Sequence, residues 1–185
     1  SFVSSWKAPD AQPLEIEGAK VAAVVMMRSE ASRRAAEDAL ARELTERGAQ
    51  GIPMYTILPN AHAEEEGAAR MALQRAGIEG LVVMRPVAVT QEIVSTPSTF
   101  SGPAYRGYWG GYYGYGWGAS WAMDAGDIQT NTIVSIETLV YSLEQNKLVW
   151  GGQSRTTNPS NVEDLIAELS DEVAGELEKQ GLLPQ

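Results

Sequence analysis

Residues 20–58 read KVAAVVMMRSEASRRAAEDALARELTERGAQGIPMYTIL. Val21 to Met27 is an unbroken apolar run. A strand covered on both faces reads this way, because successive side chains point to opposite sides of a sheet. Ser29 to Arg47 is rich in Ala, Glu and Arg. Ala36, Leu40 and Leu44 recur at every fourth position and share one helix face. Gly48 follows the last turn, where a left-handed cap is needed. Ile52 to Leu58 predicts a second strand, with Pro53 at its start removing one ladder donor.

Downstream the same grammar repeats. Pro59-Asn60 punctuates the chain, and a helix fits about Ala61 to Ala76. Glu64, Glu65 and Glu66 fall in its first turns, where the helix dipole favours anions. Gly77 closes it, and Gly80 to Val89 predicts a third strand. Leu44-x3-Gly48-x2-Gly51-Ile52 matches Leu73-x3-Gly77-x2-Gly80-Leu81. Two consecutive βα units set three strands in parallel through right-handed crossovers.

After residue 90 the pattern changes. Asp127 to Leu143 alternates with period two. Ile128, Val134, Ile136 and Val140 fall on one face, and Ile133, Leu139, Tyr141 and Leu143 on the other. Glu144-Gln145-Asn146-Lys147 reads as a tight turn, with Asn able to take positive φ. Lys147 to Thr157 returns as the hairpin partner. Ser160-x-x-Glu163 predicts a capping box. Val162, Leu165, Ile166, Leu169, Val173 and Leu177 form the stripe of a last helix ended by Gly181. The fold class is therefore α/β (α+β), one domain over 19–185 with a mixed sheet. The order is β-α-β-α-β-β-β-α, parallel in the first half and an antiparallel hairpin in the second. Residues 1–18 are polar and broken by Pro9 and Pro13. They predict an extended leader or tether, dispensable for folding, with a short strand at Phe2 to Trp6 as the alternative.

Composition narrows the function. The 185 residues include no cysteine, which excludes disulfides, thiol catalysis and cysteine metal sites. Fourteen basic against 24 acidic residues give a net charge of −10. That argues against nucleic acid, which needs a basic face to replace phosphate counterions. It also argues against simple attraction to anionic lipid. No apolar run reaches the roughly 18 residues of a membrane span.

One segment stands apart. Residues 101–121 read SGPAYRGYWGGYYGYGWGASW, inside an aromatic and glycine-rich insertion at about 97–126. They carry Tyr105, Tyr108, Trp109, Tyr112, Tyr113, Tyr115, Trp117 and Trp121, interleaved with glycines. Glycine is costly to order, so such a segment needs a partner for its rings. Three roles fit. The rings can fold back over the sheet, form a contact surface for another protein or a second copy, or stack on sugars such as envelope glycans or peptidoglycan. These eight residues are the candidate binding site.

No residue set spells out a reaction, and no catalytic residue, metal ligand or cofactor is expected. His62 is the single histidine and reads as a solvated side chain. No phosphate-binding glycine loop or nucleophile elbow follows a strand. Ser29 and Glu30 follow the first strand at its carboxyl end, where open α/β sheets place ligands; an N-cap is the simpler role for Ser29. Asp124 and Asp127 flank Gly126 and read as turn residues rather than ligands of a hard cation. The acidic residues from Glu163 to Glu178 read as the solvated face of the last helix.

These motifs together resemble a family. They are SSWKAPDA at the amino terminus, the strand KVAAVVMM, SRRAAEDALARELTERGAQGIPMYTILP, GLVVMRPVAV, TLVYSLEQNKLVWGGQSRTTNP and a helix ending GLLP. The set resembles a group of uncharacterised bacterial lipoproteins of the outer membrane or periplasm, a domain of unknown function. The resemblance implies a fold similar to the small α/β domain at the amino terminus of TolB. It implies a non-enzymatic ectodomain on the periplasmic side of the envelope that binds an envelope protein or self-associates. Membrane attachment is then expected only through a lipid anchor upstream of Ser1. A glycan-binding module using the aromatic loop is the first alternative, and a small hydrolase or metal-dependent enzyme the second. No functional residue carries over from the resemblance.

Overall fold

The computed structural model describes residues 2–60, 65–90 and 132–184. Their strands are β1 (Phe2–Lys7), β2 (Lys20–Val25), β3 (Gln50–Pro53), β4 (Gly80–Thr90), β5 (Ile133–Ser142) and β6 (Lys147–Thr157). Their α-helices are α1 (Glu30–Glu46), α2 (Glu66–Arg75) and α3 (Val162–Lys179). The strands form one mixed sheet in the order β1-β6-β5-β4-β2-β3. β3, β2 and β4 are parallel, and β4, β5, β6 and β1 are antiparallel. The expected α/β class and the change from parallel to antiparallel pairing are both present.

The topology explains the layers. From β2 the chain crosses through α1 to β3 on one side. It then crosses through α2 to β4 on the other side of β2. Two right-handed crossovers in opposite directions put α1 and α2 on opposite faces. The core divides accordingly. Ala22, Val24, Leu81, Val83, Leu139 and Tyr141 pack with Ala69 and Leu73 of α2. Ala23, Val25, Met84, Val134 and Ile136 pack with α1 and α3. The alternation read from 133–143 is thus present: Val134, Ile136 and Val140 face α1 and α3, while Leu139, Tyr141 and Leu143 face the α2 side. All ten residues of β5 are buried.

Helix ends repeat one device. Gly48, Gly77 and Gly181 take φ of 102°, 76° and 75°. Behind each, the following residue donates to a leucine carbonyl: Ala49 to Leu44 at 3.2 Å, Ile78 to Leu73 at 3.0 Å and Leu182 to Leu177 at 2.9 Å. Only a residue without Cβ adopts this conformation cheaply. Asn146 has φ 58° in the hairpin turn, as its side chain allows.

Four boundaries differ from the sequence reading. The amino-terminal stretch is not only a surface leader: β1 pairs antiparallel with β6 as the edge strand, which is the Phe2 to Trp6 alternative. Phe2 meets Trp150 edge to face at 5.9 Å between ring centres. The strand expected over Ile52 to Leu58 stops at Pro53 and becomes a 3-10 turn over Met54–Thr56. Thr56 Oγ donates to the Pro53 carbonyl at 2.7 Å, and Glu37 takes the Tyr55 N–H at 2.9 Å. Those bonds replace ladder partners. α3 is capped by Asn161 rather than Ser160, because the Asn161 Oδ1 accepts from the Asp164 N–H at 2.8 Å. α2 begins at Glu66; residues 61–64 and 127–131, where other boundaries were expected, lie outside the described residues.

Candidate functional site

The eight aromatic residues of the candidate site, Tyr105, Tyr108, Trp109, Tyr112, Tyr113, Tyr115, Trp117 and Trp121, lie outside the described residues, as do His62, Asp124 and Asp127. Ser29 is described, and it caps α1: its Oγ accepts the Ser32 N–H at 3.1 Å. Among the described residues no cluster of three or more histidine or carboxylate side chains could hold a metal ion. No described helix is long and apolar enough to cross a membrane.

The carboxyl ends of β2 and β3 carry a polar cluster. Glu37 of α1 is 1% exposed. Its carboxylate accepts the Val25 N–H at 3.1 Å and the Tyr55 N–H at 2.9 Å, tying the end of β2 to the 3-10 turn. Burial pushes its carboxyl up from 4.5 to about 7, against the lowering effect of these two amides. Asp38 accepts the Tyr55 hydroxyl at 2.7 Å and raises that phenol above its ordinary range. The Arg34 guanidinium lies over the Tyr55 ring, 5.0 Å from its centre. Arg33 donates to the Pro59 carbonyl at 2.8 Å. Every anion here is held by a neighbour in the fold.

A second polar pair sits within the sheet. Arg85 and Glu137 are register partners on β4 and β5, with Nη2 3.5 Å from Oε2 and both side chains under 10% exposed. Two charges so far from water need close mutual compensation.

A free space lies at the opposite end of the parallel strands. A cavity of about 420 Å³ opens between α1, α3 and the sheet. Its origin can be read from the core. Near Leu40, Leu165 and Leu169 the two helices share one cluster. Toward the start of β2 and β4 that cluster splits. Leu44 packs with Ala19, Val21 and Ala49, while Val173 and Leu177 pack with Val140, Val149 and Trp150. Val82 of β4 touches all three clusters and is only half-buried, although β4 has three strands on one side and two on the other. Val82 is the floor where the helices part.

The stretch between β1 and β2 forms one lip of this cavity. Gln12, Pro13, Leu14, Glu15 and Ile16 line it. The stretch is fastened by Leu14 N–H to the Leu182 carbonyl at 2.8 Å and Gly18 N–H to the Gly48 carbonyl at 2.8 Å. Gln12 N–H donates to Gln145 Oε1 at 3.0 Å, and Lys147 Nζ lies 3.0 Å from the Asp10 carboxylate. The sequence reading did not find this cavity. Two signals pointed to it: Leu14 and Ile16 are apolar in an otherwise polar leader, and Ser170 interrupts the apolar stripe of α3.

The sequence matches no protein-family model, and no curated protein matches it. Three solved structures are similar in outline. Two are PelC dodecamers from Paraburkholderia phytofirmans. One shares 14% identity over 94% of this chain and 96% of that one, with a TM-score of 0.49. The other shares 12% over 89% and 94%, with a TM-score of 0.44. The third is lipoprotein GNA1162 from Neisseria meningitidis, at 12% identity over 88% of this chain and 99% of that one, with a TM-score of 0.42. At this distance no residue role passes from one chain to another.

Proposed function

We propose that this chain is a non-enzymatic domain of the bacterial cell envelope, on the periplasmic side as an outer-membrane lipoprotein ectodomain, and that it works by self-association. The resemblance of SSWKAPDA, KVAAVVMM and the hairpin TLVYSLEQNKLVWGG to envelope lipoproteins supports the location. The absence of catalytic work is supported by how the polar groups at the strand ends are used. Glu37, Asp38 and Ser29 are each engaged in holding backbone or a neighbouring ring.

The observation that carries self-association is the contrast between the two sheet edges. β3 is four residues long and ends in Pro53, a blunted edge. β1 is six residues long, has no proline, and carries its one charge at Lys7. Among the described residues no strand lies beyond it. Ala8 N–H donates to the Val149 carbonyl at 3.0 Å, so by alternation the N–H groups of Ser5 and Lys7 point away from β6. Two copies of β1 paired antiparallel about a two-fold axis satisfy these groups and make one sheet continuous across both copies.

Sedimentation of the wild type and of Ser5→Pro tests this reading. Proline removes the outward donor, and an edge position tolerates it. The wild type should form a dimer or larger species that strengthens with added salt, since copies of net charge −10 repel. Ser5→Pro should remain folded and monomeric. A wild type that is monomeric at every concentration, or a proline variant that assembles equally well, refutes the edge.

A further inference from the structure

We propose that the cavity between α1 and α3 is a binding site for an amphiphile: an aliphatic chain inside, and a cationic group at the mouth. This site is distinct from the β1 edge and is present whether or not two copies pair there.

The space has the size and lining of a small-molecule site. Its volume is about 420 Å³. It follows α1 from Leu40 to its C-cap Arg47 and α3 from Ser170 to Leu177, about 10 Å along each at 1.5 Å per residue. The walls are mostly aliphatic, and the floor is the half-buried Val82. A central-strand valine on a helix-covered face is ordinarily sealed. Here apolar surface stays open to water in the free protein, and an aliphatic chain is what such surface gains from covering.

A second observation points to a ligand independently. Ser170 lies in the cavity wall and is 7% exposed. Its hydroxyl oxygen is buried and has no hydrogen-bond partner among the described residues. A helical serine ordinarily bonds the carbonyl four residues back, and a buried hydroxyl without a partner is costly. Its place is in the wall of a cavity rather than in packed core.

The rim selects the head group. Glu15, Glu43, Glu79 and Glu144 line the cavity along with one cation, Arg47. That cation is already engaged: its Nη1 lies 2.7 Å from Glu43 Oε2, and its Nη2 pairs with Asp171. Among the described residues, Glu15, Glu79 and Glu144 form no ion pair. A cationic head is attracted to this mouth, and a carboxylate or sulfate head is repelled.

Calorimetric titration of the full chain with dodecyltrimethylammonium, dodecyl maltoside and dodecanoate, each below its micellar concentration, tests the site. The cationic chain should bind best, the uncharged one more weakly, and the carboxylate at least about tenfold more weakly than the cation at low salt. Val82→Phe fills the floor and should cost the cation at least about tenfold in affinity while far-ultraviolet dichroism keeps its native shape. If Val82→Phe does not fold, Ala174→Met narrows the same space from α3 and should give the same loss. No binding of any of the three chains overturns the proposal, as does a carboxylate that binds as tightly as the cation. Binding that survives a folded filled-cavity variant overturns it too. The sedimentation of the wild type alone is measured without any of these chains, so this site and the β1 edge fail separately.

Discussion

Replacing Glu37 by Gln isolates one titration in the fold. The carboxyl is 1% exposed and bridges the amides of Val25 and Tyr55. Burial raises it from 4.5 to about 7. A folded-state value above the unfolded one means that the folded protein holds this proton more tightly. The contribution is therefore fully present below about 4.5 and is lost as pH rises through about 7. The gap of ~2.5 units at ~1.4 kcal/mol each amounts to ~3 kcal/mol. Most of it falls between pH 5 and 8, where the wild type should lose ~2–3 kcal/mol in urea unfolding. Lys147 holds the Asp10 carboxyl below the ordinary carboxylate range, away from this window. Gln carries no titrating proton, so its curve should be flat over the same range. It should also be less stable than the wild type at pH 5, because its amide nitrogen faces a backbone donor in place of an acceptor, costing ~1–3 kcal/mol. Urea melts at four pH values on both proteins give the answer. Equal slopes in the two proteins would refute the assignment, as would a wild type whose stability is flat or rises from pH 5 to 8.

Two further outcomes test the frame around the sites. Leu169→Ala should cost ~2–5 kcal/mol, because Leu169 is fully buried between α3, α1 and the sheet; a denaturant melt losing under about 1 kcal/mol would make α3 peripheral. Deleting residues 2–8 should cost roughly 3–5 kcal/mol, comparable to losing a large buried aromatic, since it strips Phe2 from Trp150 and removes Ala8, which is 4% exposed; an unchanged melting temperature would restore the dispensable leader read from the sequence.

The legible parts of this chain are those where one local rule decides. The run VAAVVMM has one reading, because a strand clad on both faces needs apolar residues at every position. The Leu-x3-Gly echo at 44–48 and 73–77 marked two helix ends, and the structure adds a third at 177–181 with the same carbonyl bond. The illegible parts are those where a distant partner decides. Ile52 to Leu58 is apolar enough for a strand, but Glu37, fifteen or more residues earlier in the chain, takes the Tyr55 amide and turns the backbone. FVSSWK has too little alternation to declare itself, and it becomes a strand because β6 offers it a register from Trp150 to Ser154. Ser160 and Asn161 are both good caps in isolation, and the angle at which α3 meets the sheet selects the second. The cavity is further from sequence still, since it is a divergence of two helices rather than a property of any residue.

The two ends of the parallel strands differ in how their polar groups are used. Open α/β sheets ordinarily place ligands beyond the carboxyl ends of their parallel strands. Among the described residues, the ends of β2 and β3 are closed by their own side chains. The Ser29 cap, the Glu37 bridge and the Asp38–Tyr55 bond consume the donors and acceptors that a ligand would otherwise meet. At the amino ends of β2 and β4 the balance reverses. The polar groups stand at the lip, the interior is aliphatic, and one wall is a strap held by hydrogen bonds to Leu182, Gly48 and Gln145. That strap is continuous with β1, so the strand proposed to pair between copies ends at Lys7 and the lip of the proposed ligand cavity begins at Gln12. If pairing orders β1 and a bound chain orders the lip, each event restrains the segment that the other uses. Coupling of this kind is reciprocal. Sedimentation of the wild type with and without dodecyltrimethylammonium should show the association constant shifted, and the same factor should appear in the amphiphile's affinity for the assembled form. If each equilibrium is unmoved by the other while both occur, the strap does not transmit between them.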